Sequence, residues 1–322
     1  MLIQTKGKST EGTDMGIVVI GAAFVDIKGF PEDIYLPTGR NVGQVEYIHG
    51  GVARNVAEDI ANMELRPTYL GIVDDTPMGD AVLKKLQNHK VNVDYMLTRP
   101  DGMGIWLAVF DNNGDVAGSI SKRPDLMPLL DLLEEKGDEI FAQADSVVFE
   151  VDINKEIVKK IFELAEKYHK KPYALVSNMS IAIERRDFLR KLDCFICNQQ
   201  EAGMLFLDDY TGKTAEEMRA IIADKVVRAE IPAMVVTMGA EGAVYADHAG
   251  NSGVCPARNV QVKDTTGAGD AFCAGVVSSL TYDKTLAEAV EVGSILAASV
   301  ITSSENVCPR FQPAELGLDY PG

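Results

Sequence analysis

Asp270 closes the run Gly267-Ala268-Gly269-Asp270, which follows Val262-Lys263-Asp264-Thr265-Thr266 and leads into apolar residues at helical spacing. Small residues let a loop backbone come close to an anion. A helix starting there adds unpaired N–H groups and the positive end of its dipole. Such a place suits a phosphoryl group in transfer, where charge develops on the oxygens. A carboxylate in the first turn would stand beside it, within reach of the proton of an attacking hydroxyl. The same residues also fit an ordinary glycine-rich turn whose acid favours a helix N-terminus. The run by itself does not choose between the two.

Two further runs carry chemistry. Gly50 and Gly51 open a helical pattern of Val52, Val56, Ile60 and Met63, with Asn55 near its first turn. The glycines would let a polyol meet the backbone, and the amide of Asn55 offers donors and an acceptor for sugar hydroxyls. The plainer alternative is a helix start whose Asn55 and Arg54 are merely solvated. In the other run, Asn198-Gln199-Gln200-Glu201, an amide and a carboxylate follow the apolar segment 194–198. The C-terminal end of a strand is where open α/β sheets bind ligands. Glu201 could position Mg²⁺ through water, because magnesium keeps several waters and takes only one or two carboxylates. The spacing is also that of a capping box, which the run alone favours.

Competing phosphate and metal sites fail on spacing. A P-loop needs a glycine five positions before its second glycine. Leu2 and Leu207 stand there in the decoys GKS (7–9) and GKT (212–214). A dinucleotide fingerprint is absent, since Phe272 stands where Gly267 and Gly269 would need a third glycine. None of the four histidines has a partner at metal-ligand spacing. Five scattered cysteines make no disulfide framework and fit a reducing compartment. Cys194 and Cys197 form a C-x-x-C, but on a strand they point to opposite faces.

The net charge of −17 would repel nucleic acid and anionic membranes. No stretch approaches the ~20 apolar residues of a membrane helix. Residues 1–15 are polar, lack the apolar core of a signal peptide and read as a disordered leader. A cytoplasmic protein is expected, with no nucleic-acid or membrane partner.

These residues must be held by a sheet. The segment 16–27 is a continuous apolar run rich in β-branched residues, which predicts a buried parallel strand. Segment 28–50, rich in Gly and Pro, reads as an excursion off the main sheet. A helix is expected over 51–65, a strand over 68–73 and a helix over 77–89. Two alternating runs flank Asp111-Asn112-Asn113-Gly114, a hairpin signal. With the excursion they predict a small β accessory element built from about 28–50 and 103–121. Strands at 146–151, 173–177, 194–198 and 233–239 alternate with helices near 154–169, 181–190, 199 onward and 214–229. An antiparallel strand follows at 242–247, then helices near 268–280 and 285–301. This alternation implies an α/β fold with a mostly parallel, doubly wound sheet covered on both faces.

Taken together, Gly50-Gly51-x-x-x-Asn55, the N-x-x-E run and Asp264-Thr265-Thr266-Gly267-Ala268-Gly269-Asp270-Ala271-Phe272-Cys273-Ala274-Gly275 resemble the ribokinase (PfkB) family of carbohydrate and nucleoside kinases. The resemblance spans about 16–310 and implies one ribokinase-like domain with a small β-sheet lid, leaving 311–322 as a tail. It implies transfer of the ATP γ-phosphate to a hydroxyl, usually a hydroxymethyl, of a sugar or nucleoside. Asp270 falls at the position of the base, and the backbone of Gly267, Ala268 and Gly269 at that of the anion hole. Asp26, Gly50, Gly51 and Asn55 fall at substrate-binding positions. Asn198 and Glu201 match the element linked to Mg²⁺ and phosphate. Thr237, Gly239 and Gly242 resemble the nucleotide-binding segment. Asp264 and Thr266 match ligands of a monovalent cation such as K⁺, with later ligands near 299–305.

The chain also departs from the pattern. Phe24 stands where many ribose-type members carry an Asn two residues before the substrate Asp, which speaks against plain ribose as acceptor. The run GGVARNVAEDIA with the DNNG hairpin is similar to pseudouridine kinases and related bacterial nucleoside kinases. Glu150 ends the strand at 146–151 on the ligand edge and is a further candidate for contact with substrate. Ile105 and Leu107 on the accessory sheet could pair with a second copy, giving a homodimer. The rival from another class is a ligand-binding or regulatory protein that kept the fold without catalysis.

Overall fold

The computed structural model describes residues 15–318. In chain order its strands are β1 (Ile17–Ile20), β2 (Phe24–Pro31), β3 (Gly43–Gly50), β4 (Thr68–Leu70), β5 (Ile72–Val73), β6 (Leu97–Thr98), β7 (Gly104–Phe110), β8 (Val116–Lys122), β9 (Ser146–Glu150), β10 (Lys171–Leu175), β11 (Cys194–Asn198), β12 (Ala233–Thr237), β13 (Ala243–Asp247) and β14 (Ser252–Cys255). The α-helices are α1 (Val52–Asn62), α2 (Pro77–Asn88), α3 (Pro128–Gln143), α4 (Lys155–Lys167), α5 (Met179–Ala182), α6 (Arg186–Leu189), α7 (Gln199–Phe206), α8 (Ala215–Ala229), α9 (Ala268–Thr281) and α10 (Leu286–Ile301).

The apolar runs pair into an eight-stranded sheet of order β14-β13-β12-β11-β10-β9-β1-β4. The six strands from β12 to β4 run parallel, β13 returns antiparallel to β12, and β14 pairs antiparallel with β13. Alternation sends neighbours to opposite faces. Val18, Ile20, Val147, Phe149 and Cys197 join one apolar core, which takes in buried residues of α3, α4, α7 and α8. Ile17, Val19, Val148, Cys194 and Ile196 join the other, with α1, α2, α9 and α10. The expected doubly wound α/β sheet is present, and the two cysteines lie in separate cores. Among the described residues all five cysteines are free thiols, and no helix is long and apolar enough to cross a membrane.

A second, four-stranded sheet of order β3-β2-β7-β8 carries the excursion and the hairpin. At the hairpin tip Asp111 Oδ1 accepts the N–H groups of Asn113 (2.8 Å) and Asp115 (3.0 Å). Register puts Phe24 and Asp26 on one face, Asp26 opposite Trp106. On the other face Tyr47, Ile27, Leu107 and Ile120 form a row, of which Tyr47, Leu107 and Ile120 are exposed.

The structure corrects several expected elements. Segment 16–27 is two strands, not one: β1 lies in the main sheet and β2 in the small one, so Asp26 stands on the small sheet. The chain bends at Gly21, where a Cβ would lie 2.6 Å from Ala53 Cβ and 2.7 Å from Glu150 Cδ. Segment 68–73 is likewise split, β5 leaving to pair with β6. The helix expected at 181–190 is two single turns joined by a 3₁₀ turn. No expected element covers α3, although Pro128 at its first turn and the buried Leu129, Leu133 and Ile140 carry a helix signal.

The leader at 1–15 lies outside the described residues except for Met15, which is buried and accepts from Thr68 Oγ1 at 2.8 Å. Beyond residue 310, Leu316 and Leu318 are buried in the core that holds α1 and α9. Residues 319–322 lie outside the described range.

Candidate active site

Helix α9 starts at Ala268 with Gly267 as its N-cap, at φ 81°. That left-handed backbone favours glycine. A Cβ there would also lie 2.0 Å from the carbonyl oxygen of Asn306. Ala268 N–H bonds back to Thr265 O at 3.2 Å, which tightens the turn. A Cβ on Gly269 would meet nothing within 4 Å, so the ground above the helix start is open. Asp270 follows in the first turn, half-buried. Its Oδ2 accepts from Asn55 Nδ2 at 2.6 Å, across the packed pair α1 and α9. Burial pushes its pKa up to about 6; the Asn55 bond and the charge of Arg54 oppose this, and Asp26 adds to it.

The structure gathers Asp26, Gly50, Asn55 and Asp270 at one place. A Cβ on Gly50 would sit 2.8 Å from both carboxylate oxygens of Asp26, so a side chain there would displace that carboxylate. Gly51 caps α1 at φ 100°, with Ala22 O 2.6 Å from where its Cβ would stand. Asn55 is buried, and its Oδ1 accepts from Arg54 and, at 3.3 Å, from Asn306 Nδ2. Both ends of its amide are therefore engaged within the protein. Arg54 is 1% exposed, not solvated: its guanidinium meets Glu58, His49 O, Asn55 Oδ1 and, at 3.2 Å, Gly50 O. The sequence signal was the i, i+4 pair Arg54 and Glu58, which on a surface helix is an ordinary solvated pair. Asn306 left no signal, since it acts from a distant loop.

Glu150 lies at the expected strand end but is 2% exposed. Its oxygens accept from Ala22 N (3.2 Å) and Ala53 N (3.0 Å), which ties the bend after β1 to the first turn of α1. Burial first, then Asp152, pushes its pKa up to about 8.

On the other side of Gly267 to Gly269 lies a cavity of about 650 Å³. Thr237, Gly239 and Gly242 line it together with Ala268, Gly269 and Phe272. Its walls are mostly small or apolar, which suits a flat heteroaromatic ring with phosphates toward the helix start. Asn198 and Glu201 form the capping box of α7, each side chain taking the other's backbone N–H at 2.8 Å. Glu201 is half-buried, and burial raises its pKa, Asp152 adding to the effect. Burial pushes up the thiol of Cys273, one turn beyond Asp270, and the charges of Asp270 and Glu201 add to the effect. Among the described residues no group of three or more His, Cys, Asp or Glu is placed to hold a metal ion.

Asp264 lies in the exposed loop before α9 and accepts Thr266 N–H at 2.9 Å, which holds its carboxyl below the usual range. Lys263 N–H reaches Ile301 O at 2.7 Å, so this loop runs beside the end of α10, where 299–305 begin. The GKT decoy ends in Thr214, which caps α8; GKS lies outside the described residues.

A smaller cavity of about 280 Å³ opens beside Phe24 and Glu150 and is lined also by Arg123, Asp152, Asn154 and Ser177. Asp152 accepts from Ser177 Oγ at 2.7 Å and Ser177 N at 3.0 Å, and from Arg123 Nη2 at 3.2 Å. Arg123 directly follows β8, so this ion pair joins the small sheet to the main one. Phe24 is flanked in its sheet by Gly50 and Gly104, and its ring lies over Gly104. Arg123, Asp152 and Ser177 carried no motif; each is an isolated polar residue near a strand end.

The model of the pfkB family carbohydrate kinases matches residues 15–308. A guanosine-inosine kinase of Exiguobacterium acetylicum is 35% identical over 293 residues, covering 90% of this chain and 95% of that one. A pseudouridine kinase of Escherichia coli is 26% identical over 278 residues, 85% of this chain and 86% of that one. The structure of an Arabidopsis thaliana ribokinase complexed with ribose and ATP shares the fold, with a TM-score of 0.80 at 18% identity over 96% of this chain and 100% of that one.

Proposed function

The chain belongs to the pfkB family of carbohydrate kinases and is a kinase, and on that premise we propose that it moves the γ-phosphoryl group of ATP to the hydroxymethyl oxygen of a purine nucleoside. The observation that carries the reading is Asp270: a half-buried carboxylate raised to about 6, held by Asn55 at the open start of α9. Asn55 occupies Oδ2, which leaves Oδ1 to take the proton of the substrate hydroxyl. The hydroxyl oxygen bonds to the γ-phosphorus as the bond to the bridging β,γ-oxygen breaks, and ADP leaves. The helix start and the N–H groups from Gly267 to Gly269 stabilise the charge on the moving phosphoryl group. Mg²⁺, held through water by Glu201 beside Asn198, would neutralise phosphate charge when bound; K⁺ at the loop of Asp264 and Thr266 is the further cation of the reading.

The adenine ring of ATP would occupy the cavity of Thr237, Gly239 and Gly242. Asp26 and the backbone at Gly50 and Gly51 would take sugar hydroxyls. Glu150 acts beneath them by holding Ala22 and Ala53. The cavity beside Phe24 suits the base of a nucleoside, with an aromatic wall and Arg123, Asp152 and Ser177 for its polar edge. The relative at 35% identity, a guanosine-inosine kinase, supports a purine over pseudouridine. The small sheet would act as a lid that excludes water. Its exposed row of Tyr47, Leu107 and Ile120 supports a homodimer through the lid, which light scattering at micromolar concentration tests. The free cysteines agree with a cytoplasmic setting.

The test is ADP release with Mg-ATP over guanosine, inosine, pseudouridine and ribose, with and without K⁺. Guanosine or inosine should turn over fastest. Faster turnover of ribose would overturn the nucleoside reading. Quenching of Trp106, the single tryptophan, without any ADP release would favour a binding protein.

A further inference from the structure

We propose that Arg54 is a positioning residue that locks the amide of Asn55 in the one orientation that holds Asp270 by a hydrogen bond. This rests on Asp270 being the base. An asparagine amide has two ends of nearly equal size, one donating and one accepting. Its direction must therefore be set by its neighbours. A guanidinium can only donate, and that of Arg54 points at Asn55 Oδ1. Asn306 Nδ2 points at the same atom at 3.3 Å, and its own direction is set by His49 O, a pure acceptor, at 2.9 Å. With two donors on Oδ1, the NH₂ end is turned to Asp270 Oδ2 at 2.6 Å. A flipped amide would set NH₂ against the guanidinium and oxygen against the carboxylate, two repulsions in place of two bonds.

The lock is itself anchored. Besides Asn55, the guanidinium meets Gly50 O, His49 O and Glu58. Glu58 is 0% exposed, and its other oxygen lies 3.3 Å from Lys85 Nζ and 3.2 Å from His89 Nε2. Burying a charge pair carries a desolvation cost that its attraction often fails to offset. A well-packed apolar side chain would serve stability as well, so the retained charge points to orientation as its use.

The experiment compares Arg54→Met and Arg54→Lys with Asp270→Asn in the full chain. It measures kcat, both KM values and the pH dependence of kcat. Charged groups that face Asp270 are Arg54 and Asp59 from α1, Asp26 from the small sheet and Glu150 from β9. Both Arg54 variants should lose roughly 10- to 100-fold in kcat, because a loosened base misses the productive geometry. KM for ATP should hold. Arg54→Met also removes a positive charge, so its acid limb should move to higher pH. Arg54→Lys keeps the charge but not the fork, so its acid limb should stay while kcat falls.

Wild-type kcat in both variants, with Asp270→Asn inactive, would overturn the lock and leave the base reading intact. An active Asp270→Asn would overturn both. If Arg54→Met does not fold, Asn306→Ala removes the second donor and spares the buried ion pair. It should then lower kcat several-fold at unchanged KM for ATP, and an unchanged kcat would overturn the lock.

Discussion

Around Thr237, Gly239, Gly242, Ala268 and Gly269 the site is built from backbone and short side chains, with nothing within 4 Å of a Cβ placed on Gly239 or Gly269. Around Phe24, Asp26, Arg54, Asn55, Glu150 and Asp152 it is built from side chains that cross between the small sheet, α1 and the main sheet. The two ends meet at Asp270. On the proposed reading, the difference follows from what each end must recognise. Phosphate is an anion without directionality, and N–H groups at a helix start suffice for it. A hydroxylated acceptor must be told from its analogues, which needs oriented donors and acceptors. On the proposed reading, changes at the first end should act on every acceptor alike, and changes at the second should act by acceptor.

Asp270→Asn, at the meeting point, should have the largest effect. It should lower kcat by about 10²–10⁴-fold, the usual worth of general-base assistance. Substrate binding, followed by Trp106 fluorescence, should persist. Near wild-type turnover would break the comparison at its centre. Next comes Gly267→Ala. Its Cβ would have to clear Asn306 O, 2.0 Å away, at a φ of 81°. The helix start must shift, and loss of one aligned donor costs roughly 10²-fold. That loss should be equal for guanosine, inosine and ribose. A loss confined to one acceptor would contradict the division between the ends.

The pH profile probes the junction without mutation. Asp270 must be ionised to accept a proton, and its pKa is raised to about 6. Activity should therefore be full above that value and fall as pH drops through it. At pH 5 kcat should be about tenfold lower, since one unit below the pKa leaves a tenth of the base ionised. A profile flat down to pH 4.5 would remove Asp270 from the role.

The donor end was the more legible in the sequence, and the contrast explains why. On the proposed reading Gly267 to Gly269 act through consecutive backbone, with Asp270 next in the chain, so their order in the chain is their arrangement in space. The alternation of apolar runs likewise disclosed the parallel sheet. Solvation of Arg54 was left open as an alternative because a buried and a solvated i, i+4 pair look alike in sequence; its burial among Gly50, His49, Asn55 and Glu58 is seen only in the structure. Arg123 and Asp152 come together from two loops, Asn306 reaches Asn55 from a third, and nothing local marks any of them. The break at Gly21 was hidden by an unbroken apolar run, since the close approach of Ala53 and Glu150 is tertiary. Asn55 was read as a sugar ligand, and its bond to Asp270, which no local pattern announces, is added by the structure.

Arg123→Ala tests the acceptor end. It removes the ion pair to Asp152 and one wall of the smaller cavity. KM for the nucleoside should rise about tenfold, the scale of one charge-assisted hydrogen bond. KM for ATP should not move. A rise in KM for ATP of the same size would mean that the pair holds the small sheet generally and does not serve the acceptor.

The smallest expected effect, and the finest test of the acceptor end, is at Phe24. Its ring lies over Gly104 with glycine on both sides in the sheet, so the aromatic face is available to whatever enters the smaller cavity. A free sugar has no aromatic ring to lay on it; a nucleoside has its base. Phe24→Asn removes that face and adds an amide two residues before Asp26, able to meet a sugar hydroxyl. The ratio of kcat/KM for guanosine to that for ribose should fall by about fivefold, the net worth of one modest contact. It should fall from both sides, with guanosine losing and ribose gaining. If both acceptors lose equally, Phe24 serves only to pack the small sheet, and selection of the acceptor lies with Arg123 and Asp152.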